Sequence, residues 1–344
     1  MKILSIETSC DETALALVDA KGGIKSPKFK VEKNLVTSQI NIHRPFGGVV
    51  PNLAKREHLK NLPLLFEKGV GDKEMKKVDM IAVTVGPGLE PALWTGIGFA
   101  KELAKKYKKL LVGANHMEGH LYSFLLEKGE KLQFPAIGLL VSGGHTMLLL
   151  MKSLIEWKKL GETRDDAVGE AFDKVARLLG LLYPGGPEVE KLAKKGDLNA
   201  IPFPRPMMKT KDYDFSFSGL KTSVLYFLRD NPKTNKADVA ASFQEAAFEV
   251  LIYKTIRAAK EFGAKSVILA GGVAASHTLR EKLGEAAKQN KLKLFVPGFE
   301  FNTDNAAMVA ASAYINFLKK GKNYSPRYSE REAGRLMANG NLNM

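Results

Sequence analysis

Short apolar runs bounded by polar turns alternate in this chain with longer segments of helical periodicity. Apolar runs of strand length occupy residues 3–6, 80–85 and 266–270. Residues 91–105 and 236–263 are long enough for helices, and the second of these repeats apolar positions along one stripe. Strands that alternate with helices predict an α/β fold.

One arrangement of strands occurs twice. In residues 3–18 and again in residues 136–151, two apolar runs flank a turn of small and hydroxyl residues, and Thr13 and Thr146 take equivalent places. A repeat of this kind suggests a duplicated domain with a cleft between the halves. The turns could bind phosphate through exposed N–H groups and hydroxyls, or they could be ordinary hairpins.

A histidine pair follows the apolar run at residues 110–113. His116 and His120 are four residues apart, so on a helix they share one face. Imidazoles placed in this way can hold one metal ion, with an oxygen ligand from elsewhere, although core or surface histidines give the same pattern. Glu118 would point away from them and is poorly placed to be the base of a zinc peptidase.

An acid near the carboxyl end of the chain is the candidate third ligand. Residues 302–308 predict a helix start capped by Asn302 or Thr303, with Asp304 in the first positions. In a two-lobed fold this aspartate can face the histidine pair from the opposite lobe. It would complete a site of two histidines and one carboxylate.

Composition places the chain among ordinary globular proteins. Its 344 residues are 45% hydrophobic and 26% charged, which is long enough for two domains. No apolar run approaches membrane-spanning length, and the start is charged too early for a signal peptide. The single cysteine, Cys10, suits a reducing compartment, so we expect a cytoplasmic protein that does not engage membranes.

The formal net charge of +15 favours a polyanionic partner such as RNA. Basic residues recur at Lys55 and Arg56, at residues 105–109 and at residues 205–211. Solvated lysine-rich surfaces would give the same excess, and for Lys55 and Arg56 a solvated helix end is the simpler interpretation.

Collinear motifs give a more specific indication. The segments that carry it are residues 6–13, 86–89, 116–120, 142–146, 169–174 and 303–305. Together they resemble the tRNA N6-adenosine threonylcarbamoyltransferase family, formerly called the glycoprotease family, from residue 1 to about 328. Residues 47–51 and 215–222 are similar to the bacterial and organellar branch.

The resemblance implies a duplicated, two-lobed α/β fold like that of actin, sugar kinases and Hsp70, which is ribonuclease H-like and has an interlobe cleft. On this basis we expect a first lobe at residues 1–112, completed by helices within 304–336. The second lobe would occupy residues 113–303, and residues 337–344 would form a flexible tail.

The same resemblance implies transfer of a threonylcarbamoyl group from threonylcarbamoyl-AMP to N6 of adenosine 37 in tRNAs that read codons beginning with A. It assigns one divalent metal ion per subunit, with iron favoured and zinc possible, to His116, His120 and Asp304. Asp11 matches the acid thought to assist transfer. The adenylate would be bound by Leu140, Val141, Ser142, Gly143, Gly144, Asp173, Gly186, Glu190 and Ser276.

The resemblance also implies tRNA, a non-catalytic paralogue and a small ATPase as partners. The sequence departs from the family pattern at Ser276, where asparagine is usual, and at Asn52, where glutamate is usual. Three alternatives remain: an ATP-dependent phosphotransferase or ATPase of the same fold, a metallopeptidase, and a non-catalytic scaffold.

Overall fold

The computed structural model describes residues 1–127, 129, 131–321 and 329–344. This part of the chain forms two compact units. The first consists of Met1–Gly129 with Pro297–Met344, and the second of Glu130–Val296.

The first unit is built on a mixed five-stranded sheet. Its strands are β1 (Lys2–Glu7), β2 (Glu12–Lys21), β3 (Lys28–Ser38), β4 (Met80–Gly86) and β5 (Leu110–Asn115). The order is β3-β2-β1-β4-β5. The first three strands form an antiparallel meander, whereas β4 and β5 run parallel to β1.

The second unit repeats this sheet. Its strands are β6 (Ala136–Val141), β7 (Thr146–Met151), β8 (Trp157–Glu162), β9 (Ser266–Ala270) and β10 (Lys293–Phe295). The order β10-β9-β6-β7-β8 has the same antiparallel and parallel pairings as the first sheet. The duplicated α/β fold predicted from the sequence is therefore confirmed. The third strand of each meander was not predicted, because β3 and β8 are largely exposed and lack a continuous apolar run.

Helices follow the strands in both units. In chain order they are α1 (Ile40–His43), α2 (Pro51–Gly69), α3 (Gly71–Met75), α4 (Glu90–Tyr107), α5 (His116–Tyr122), α6 (Val168–Leu179), α7 (Gly185–Ala193), α8 (Ser218–Asp230), α9 (Lys236–Glu261), α10 (His277–Gln289), α11 (Phe299–Asn302), α12 (Ala306–Lys320) and α13 (Glu330–Arg335). Short 3₁₀ turns occupy Arg44–Phe46, Ser123–Leu126 and Gly272–Ala275. Among the described helices, none has the length and apolarity needed to cross a membrane.

Small side chains let α12 lie close to the first sheet. It packs against β1, β2, β5 and α5, and its residues from Ala306 to Ile315 are all buried. Ser5 of β1 donates a hydrogen bond from Oγ to the carbonyl of Ala306, at 2.6 Å. The segment that begins α12 is consequently fixed against the central strand of the sheet.

Glycine allows a second close approach in the first unit. A Cβ atom on Gly96 of α4 would lie 2.3 Å from Oγ1 of Thr8. That threonine follows β1 and donates to the carbonyl of Ala92, at 3.0 Å. The turn after β1 therefore rests directly on α4.

The two units divide at different residues from those expected. The first unit continues through α5 and includes residues 297–303, which the sequence analysis had assigned to the second lobe. Residues 322–328 of the predicted 304–336 segment lie outside the described residues.

The carboxyl-terminal segment, expected to be a flexible tail, bonds to the first unit. The amide of Asn339 donates to Val85, at 2.9 Å, and that of Gly88 donates to Gly340, at 3.1 Å. These contacts lay the segment along the end of β4 and the turn that follows it.

Candidate active site

The histidine pair lies on α5, where the sequence placed it. Strand β5 ends at Asn115, whose side-chain oxygen accepts hydrogen bonds from the amides of Met117, at 2.8 Å, and Glu118, at 3.1 Å. This cap begins the helix at His116. The rings of His116 and His120 are both buried, with centroids 4.6 Å apart.

Asp304 lies in the turn between α11 and α12. The cap of α12 is Asn305, whose side chain accepts from the amide of Met308 at 3.1 Å, so the prediction of Asn302 or Thr303 as cap was wrong. The helix begins after Asp304 instead of including it, because the carboxamide of Asn305 takes one of the free amides of the first turn, that of Met308. This turn leaves the aspartate side chain outside the helix.

The three predicted ligands come together. Oδ1 of Asp304 lies 3.1 Å from Nε2 of His120 and 3.5 Å from Nε2 of His116. One ligand atom from each residue falls within 4.8 Å of the other two. All three belong to the first unit, however, and do not come from opposite lobes as the sequence analysis had expected.

The spacing of these atoms fits a metal ion. Ligand atoms bound at about 2.0–2.2 Å around one tetrahedral ion lie roughly 3–3.5 Å apart. The two imidazole nitrogens stand at such distances from the carboxylate oxygen. Two histidines and one carboxylate form a donor set typical of iron or zinc. This group can therefore hold a divalent metal ion.

A buried carboxylate holds His116 from the side opposite Asp304. Oε2 of Glu7, at the end of β1, lies 3.2 Å from Nδ1 of His116 and accepts from Thr84 Oγ1, at 2.6 Å. Its other oxygen accepts from the amide of Ser9, at 2.5 Å. Histidine ligands commonly donate their second N–H to a carboxylate, which fixes the tautomer and the ring orientation.

Sequence analysis missed the supporting role of Glu7. The local signal was a charged residue at the end of an otherwise buried strand, because such a position requires a partner. The identity of that partner, His116, depends on the parallel pairing of β1, β4 and β5.

The pKa values of the histidines and of Asp304 follow from burial and from the charges of Asp304 and Glu7. Burial alone would raise the pKa of Asp304, but the charge of His116 and a hydrogen bond from His120 lower it to about 2. Burial lowers the pKa of His120. Burial also opposes protonation of His116, yet the charges of Asp304 and Glu7 raise its pKa to about 9. A metal ion would therefore meet an ionised carboxylate and would displace a proton from His116.

The turn that carries Asp11 contacts this group, because Oγ of Ser9 lies 3.1 Å from Nδ1 of His116. Burial raises the pKa of Cys10 well above its usual value, and the charges of Asp11 and Asp304 add to the shift. Burial likewise raises the pKa of Glu12, again with contributions from Asp11 and Asp304. The carboxyl group of Asp11 is itself largely buried.

In the second unit, the turn equivalent to that of Asp11 is glycine-rich. Ser142 closes it: its amide donates to the carbonyl of His145, at 2.8 Å, and its Oγ accepts from the amide of His145, at 3.0 Å. A Cβ atom on Gly143 or Gly144 would meet nothing within 4 Å, so this backbone is open to a ligand. The side chains of Leu140 and Val141 are buried in β6, which pairs with β7 and β9 and ends at this turn.

The other predicted adenylate residues lie at the starts of α7 and α10 or bond to them. Oδ1 of Asp173 accepts from the amide of Gly185, at 2.7 Å, next to Gly186, whose Cβ position is open. Oε1 of Glu190 accepts from Ser276 Oγ, at 3.1 Å, and from Thr278. Helix N-termini beside a glycine turn are typical of nucleotide phosphate sites.

Each sheet has the ribonuclease H-like strand order, and its duplication defines the α/β class that includes actin and the sugar kinases. Within this class, the chain belongs to the tRNA N6-adenosine threonylcarbamoyltransferase family, whose model matches residues 30–311.

Curated relatives of that name match over nearly the whole chain. The protein from Thermosipho africanus is 50% identical over 325 residues, covering 93% of this chain and 96% of the relative. The protein from Kosmotoga olearia is 48% identical over 316 residues, covering 91% and 93% respectively.

Similarity to solved structures supports the fold alone. The crystal structure of HypF from T. kodakarensis aligns with 92% of this chain at a TM-score of 0.60 and 17% identity. A full-length HypF in a phosphate- and nucleotide-bound form aligns at a TM-score of 0.57 and 13% identity. The chain spans 48% and 56% of those two proteins.

Replacement of a ligand should abolish metal binding, whereas replacement of the supporting carboxylate should weaken it. We expect His116→Ala, His120→Ala and Asp304→Ala to lose zinc binding in a competition titration with a chromophoric chelator. Glu7→Gln should lower the affinity by roughly 10–100-fold, because the amide orients His116 less strongly. The control is Glu118→Gln on the same helix, whose carboxylate bonds to Ser312 and Asn316 instead. Unchanged zinc affinity in all three alanine variants would exclude this site.

The cap of α5 should matter for both stability and metal affinity. Asn115 also donates from Nδ2 to the carbonyl of Asn343, at 3.3 Å, so it joins the helix to the carboxyl-terminal segment. Asn115→Ala should lower the free energy of unfolding by about 1 kcal/mol in a urea titration and should weaken zinc binding. Asn115→Asp keeps the capping oxygen and should retain most of the stability. Equal loss in both variants would argue against the capping role.

Proposed function

We propose that this chain transfers the threonylcarbamoyl group from threonylcarbamoyl-AMP to N6 of adenosine 37 in tRNAs that read codons beginning with A. The observation that carries the proposal is the convergence of His116, His120 and Asp304, with Ser9 of the Asp11 turn 3.1 Å from His116, in a member of this transferase family. A tRNA substrate also agrees with the net charge of +15.

His116, His120 and Asp304 would hold one divalent ion per subunit, with iron favoured and zinc possible. Such an ion supplies Lewis-acid polarisation of a carbamoyl or phosphate oxygen. Glu7 keeps the His116 imidazole oriented, and the ionised Asp304 supplies the negative charge that favours a cation.

The second unit would bind the adenylate. Backbone N–H groups at Gly143 and Gly144 are suited to the phosphate, because no side chain obstructs the two glycines, and Ser142 holds the turn closed through its bonds to His145. The starts of α7 and α10, where Gly186 and Ser276 lie, are suited to the nucleoside. Glu190 and Asp173 hold these helix starts in place through their bonds to backbone amides.

Asp11 is the proposed proton acceptor. The N6 amine of the adenosine attacks the carbamoyl carbon, a new N–C bond forms, and the C–O bond to the phosphate breaks as AMP departs with its electron pair. The proton released by the amine passes to the carboxylate of Asp11. The base must be presented in an unpaired loop, because a paired N6 is engaged within a helix.

We further propose a non-catalytic paralogue and a small ATPase as partner subunits, and a cytoplasmic location. Exposed apolar side chains on β3 and α2 support a protein interface on the first unit, since Val36, Leu59 and Leu64 are between 44% and 56% exposed.

Neither rival enzyme has comparable support. In a zinc peptidase with this histidine spacing, the catalytic glutamate directly follows the first histidine, but here Met117 follows His116. The carboxylate of Glu118, one position later, bonds to Ser312 and Asn316 on α12. A kinase or ATPase of this fold would hydrolyse ATP steadily without tRNA.

The activity can be tested by incubating the purified chain with zinc or iron, threonylcarbamoyl-AMP, unmodified tRNA and the partner subunits, followed by nucleoside mass spectrometry. Asp11→Asn should lower the single-turnover rate by roughly 10²–10⁴-fold while binding of the adenylate persists, because the amide cannot accept the proton. Asp19→Asn, an acid further along the same strand pair, is the matched control. Steady ATP hydrolysis without any modified adenosine would refute the proposed transfer.

Ser276 offers a test of the adenylate site. Its Oγ accepts from the amide of Leu279, at 3.2 Å, and so caps α10. Ser276→Asn would keep a capping side chain and restore the amide usual in the family. We expect tighter adenylate binding by about 1 kcal/mol, or roughly five-fold, in calorimetry, because the amide adds one hydrogen bond. Weaker binding with unchanged stability would place the nucleoside elsewhere.

A further inference from the structure

A buried imidazole brackets the turn that carries Asp11. His58 lies on the buried face of α2 and is fully enclosed. Its Nε2 lies 3.0 Å from the carbonyl oxygen of Cys10, the residue before Asp11. Its Nδ1 lies 2.8 Å from Oγ1 of Thr13, two residues after Asp11. One ring therefore bonds to the chain on both sides of the proposed proton acceptor.

The direction of these hydrogen bonds follows from the groups involved. A carbonyl oxygen can only accept, so Nε2 of His58 carries the hydrogen and donates to Cys10. Burial lowers the pKa of His58, so the ring stays neutral and Nδ1 carries no hydrogen. The hydroxyl of Thr13 then donates to Nδ1. A single tautomer satisfies both partners.

A second histidine fixes the same arrangement from the other end. The amide of Val50 donates to Nδ1 of His43, at 3.2 Å, so Nε2 of that ring carries the hydrogen. It donates to Oε1 of Gln39, at 3.0 Å, which turns Nε2 of Gln39 toward Nδ1 of His58, at 3.3 Å. The main-chain amide of Gln39 donates to the carbonyl of Asp11 itself, at 2.9 Å. The three side chains are almost fully buried, so water does not compete for these bonds.

Apolar side chains could fill this space and serve the fold as well. The neighbouring positions on the same face of α2, Ala54, Leu62 and Phe66, are apolar. Buried hydrogen bonds add little net stability, but a fully bonded set holds one conformation. The conformation held here is that of the backbone around Asp11. Displacement of a catalytic group by about 1 Å can lower a rate by roughly 100-fold.

We propose that His58 is a positioning residue for the transfer reaction, which fixes the turn so that the carboxylate of Asp11 meets the N6 amine of the adenosine. This inference rests on the proposed function, because His58 acts through Asp11. Cys10, Thr13 and Gln39 all belong to the first unit, whereas the proposed adenylate residues belong to the second. The ring should therefore affect the rate of the chemical step and not the binding of the adenylate.

The test measures single-turnover transfer to unmodified tRNA, with metal ion and partner subunits present, and adenylate binding by calorimetry. His58→Phe keeps a ring but removes both nitrogens, and it should lower the transfer rate by roughly 10–100-fold with adenylate affinity unchanged. His58→Gln supplies one donor and one acceptor and should restore most of the rate. In the Asp11→Asn background, His58→Phe should have little further effect, because residues that act as a unit are not additive.

Phe66→Leu is the matched control, because Phe66 lies on the same buried face of α2 but packs against Phe99 and Tyr107. It should leave the transfer rate unchanged, and thermal unfolding should show that the variants fold. If His58→Phe does not fold, Thr13→Val takes its place, because it removes the hydroxyl and keeps the volume. It should slow transfer, and Thr13→Ser should restore the rate.

The inference is overturned if His58→Phe, or Thr13→Val in its place, transfers as fast as the unaltered chain. It is also overturned if the full loss persists in the Asp11→Asn background, if His58→Gln is no faster than His58→Phe, or if adenylate affinity falls in proportion to the rate. In each of these cases the unaltered chain still modifies tRNA, so the transferase function stands. Absence of modified adenosine from the reaction of the unaltered chain would refute that function and this inference with it.

Discussion

A buried carboxylate at the end of β1 controls the candidate reaction centre. An unpaired charge in this position would cost several kcal/mol, yet Glu7 accepts hydrogen bonds from Thr84 and Ser9 and faces His116. The same contacts orient the imidazole toward Asp304. The stability of the strand end and the arrangement of the His116, His120 and Asp304 side chains therefore both depend on Glu7.

The position of α12 supplies the other half of that geometry. Half of its buried residues are alanines, so the helix lies close to the sheet and brings Asp304 to the ends of β1 and β5. Larger side chains on this face would move the aspartate outward, because packed interiors tolerate little extra volume. The closeness of Asp304 to His116 and His120 thus depends on how α12 packs as well as on the chemistry of the three side chains.

The two units share a strand order, but the turns after β1 and after β6 differ. In the first unit the turn after the leading strand carries Asp11 and contacts His116 through Ser9, whereas in the second it carries the open pair Gly143 and Gly144. Each unit keeps the same strand order. The turns were free to diverge because they lie at strand ends, where side chains are not required for the core.

The sequence by itself determined what depends on local spacing. The apolar runs predicted the main strands, and the interval between His116 and His120 placed both on one helix face, because side-chain direction repeats within a few residues. The helix-start pattern at residues 302–308 made Asp304 a candidate partner, and the family resemblance assigned it to the histidine pair. Only the tertiary structure decided how that partner is reached: it lies 184 positions from His120, its helix starts later than the capping pattern suggested, and it belongs to the same unit. The role of Glu7 and the anchoring of the carboxyl-terminal segment on the end of β4 likewise arise from pairings between distant segments, and no local pattern encodes such pairings.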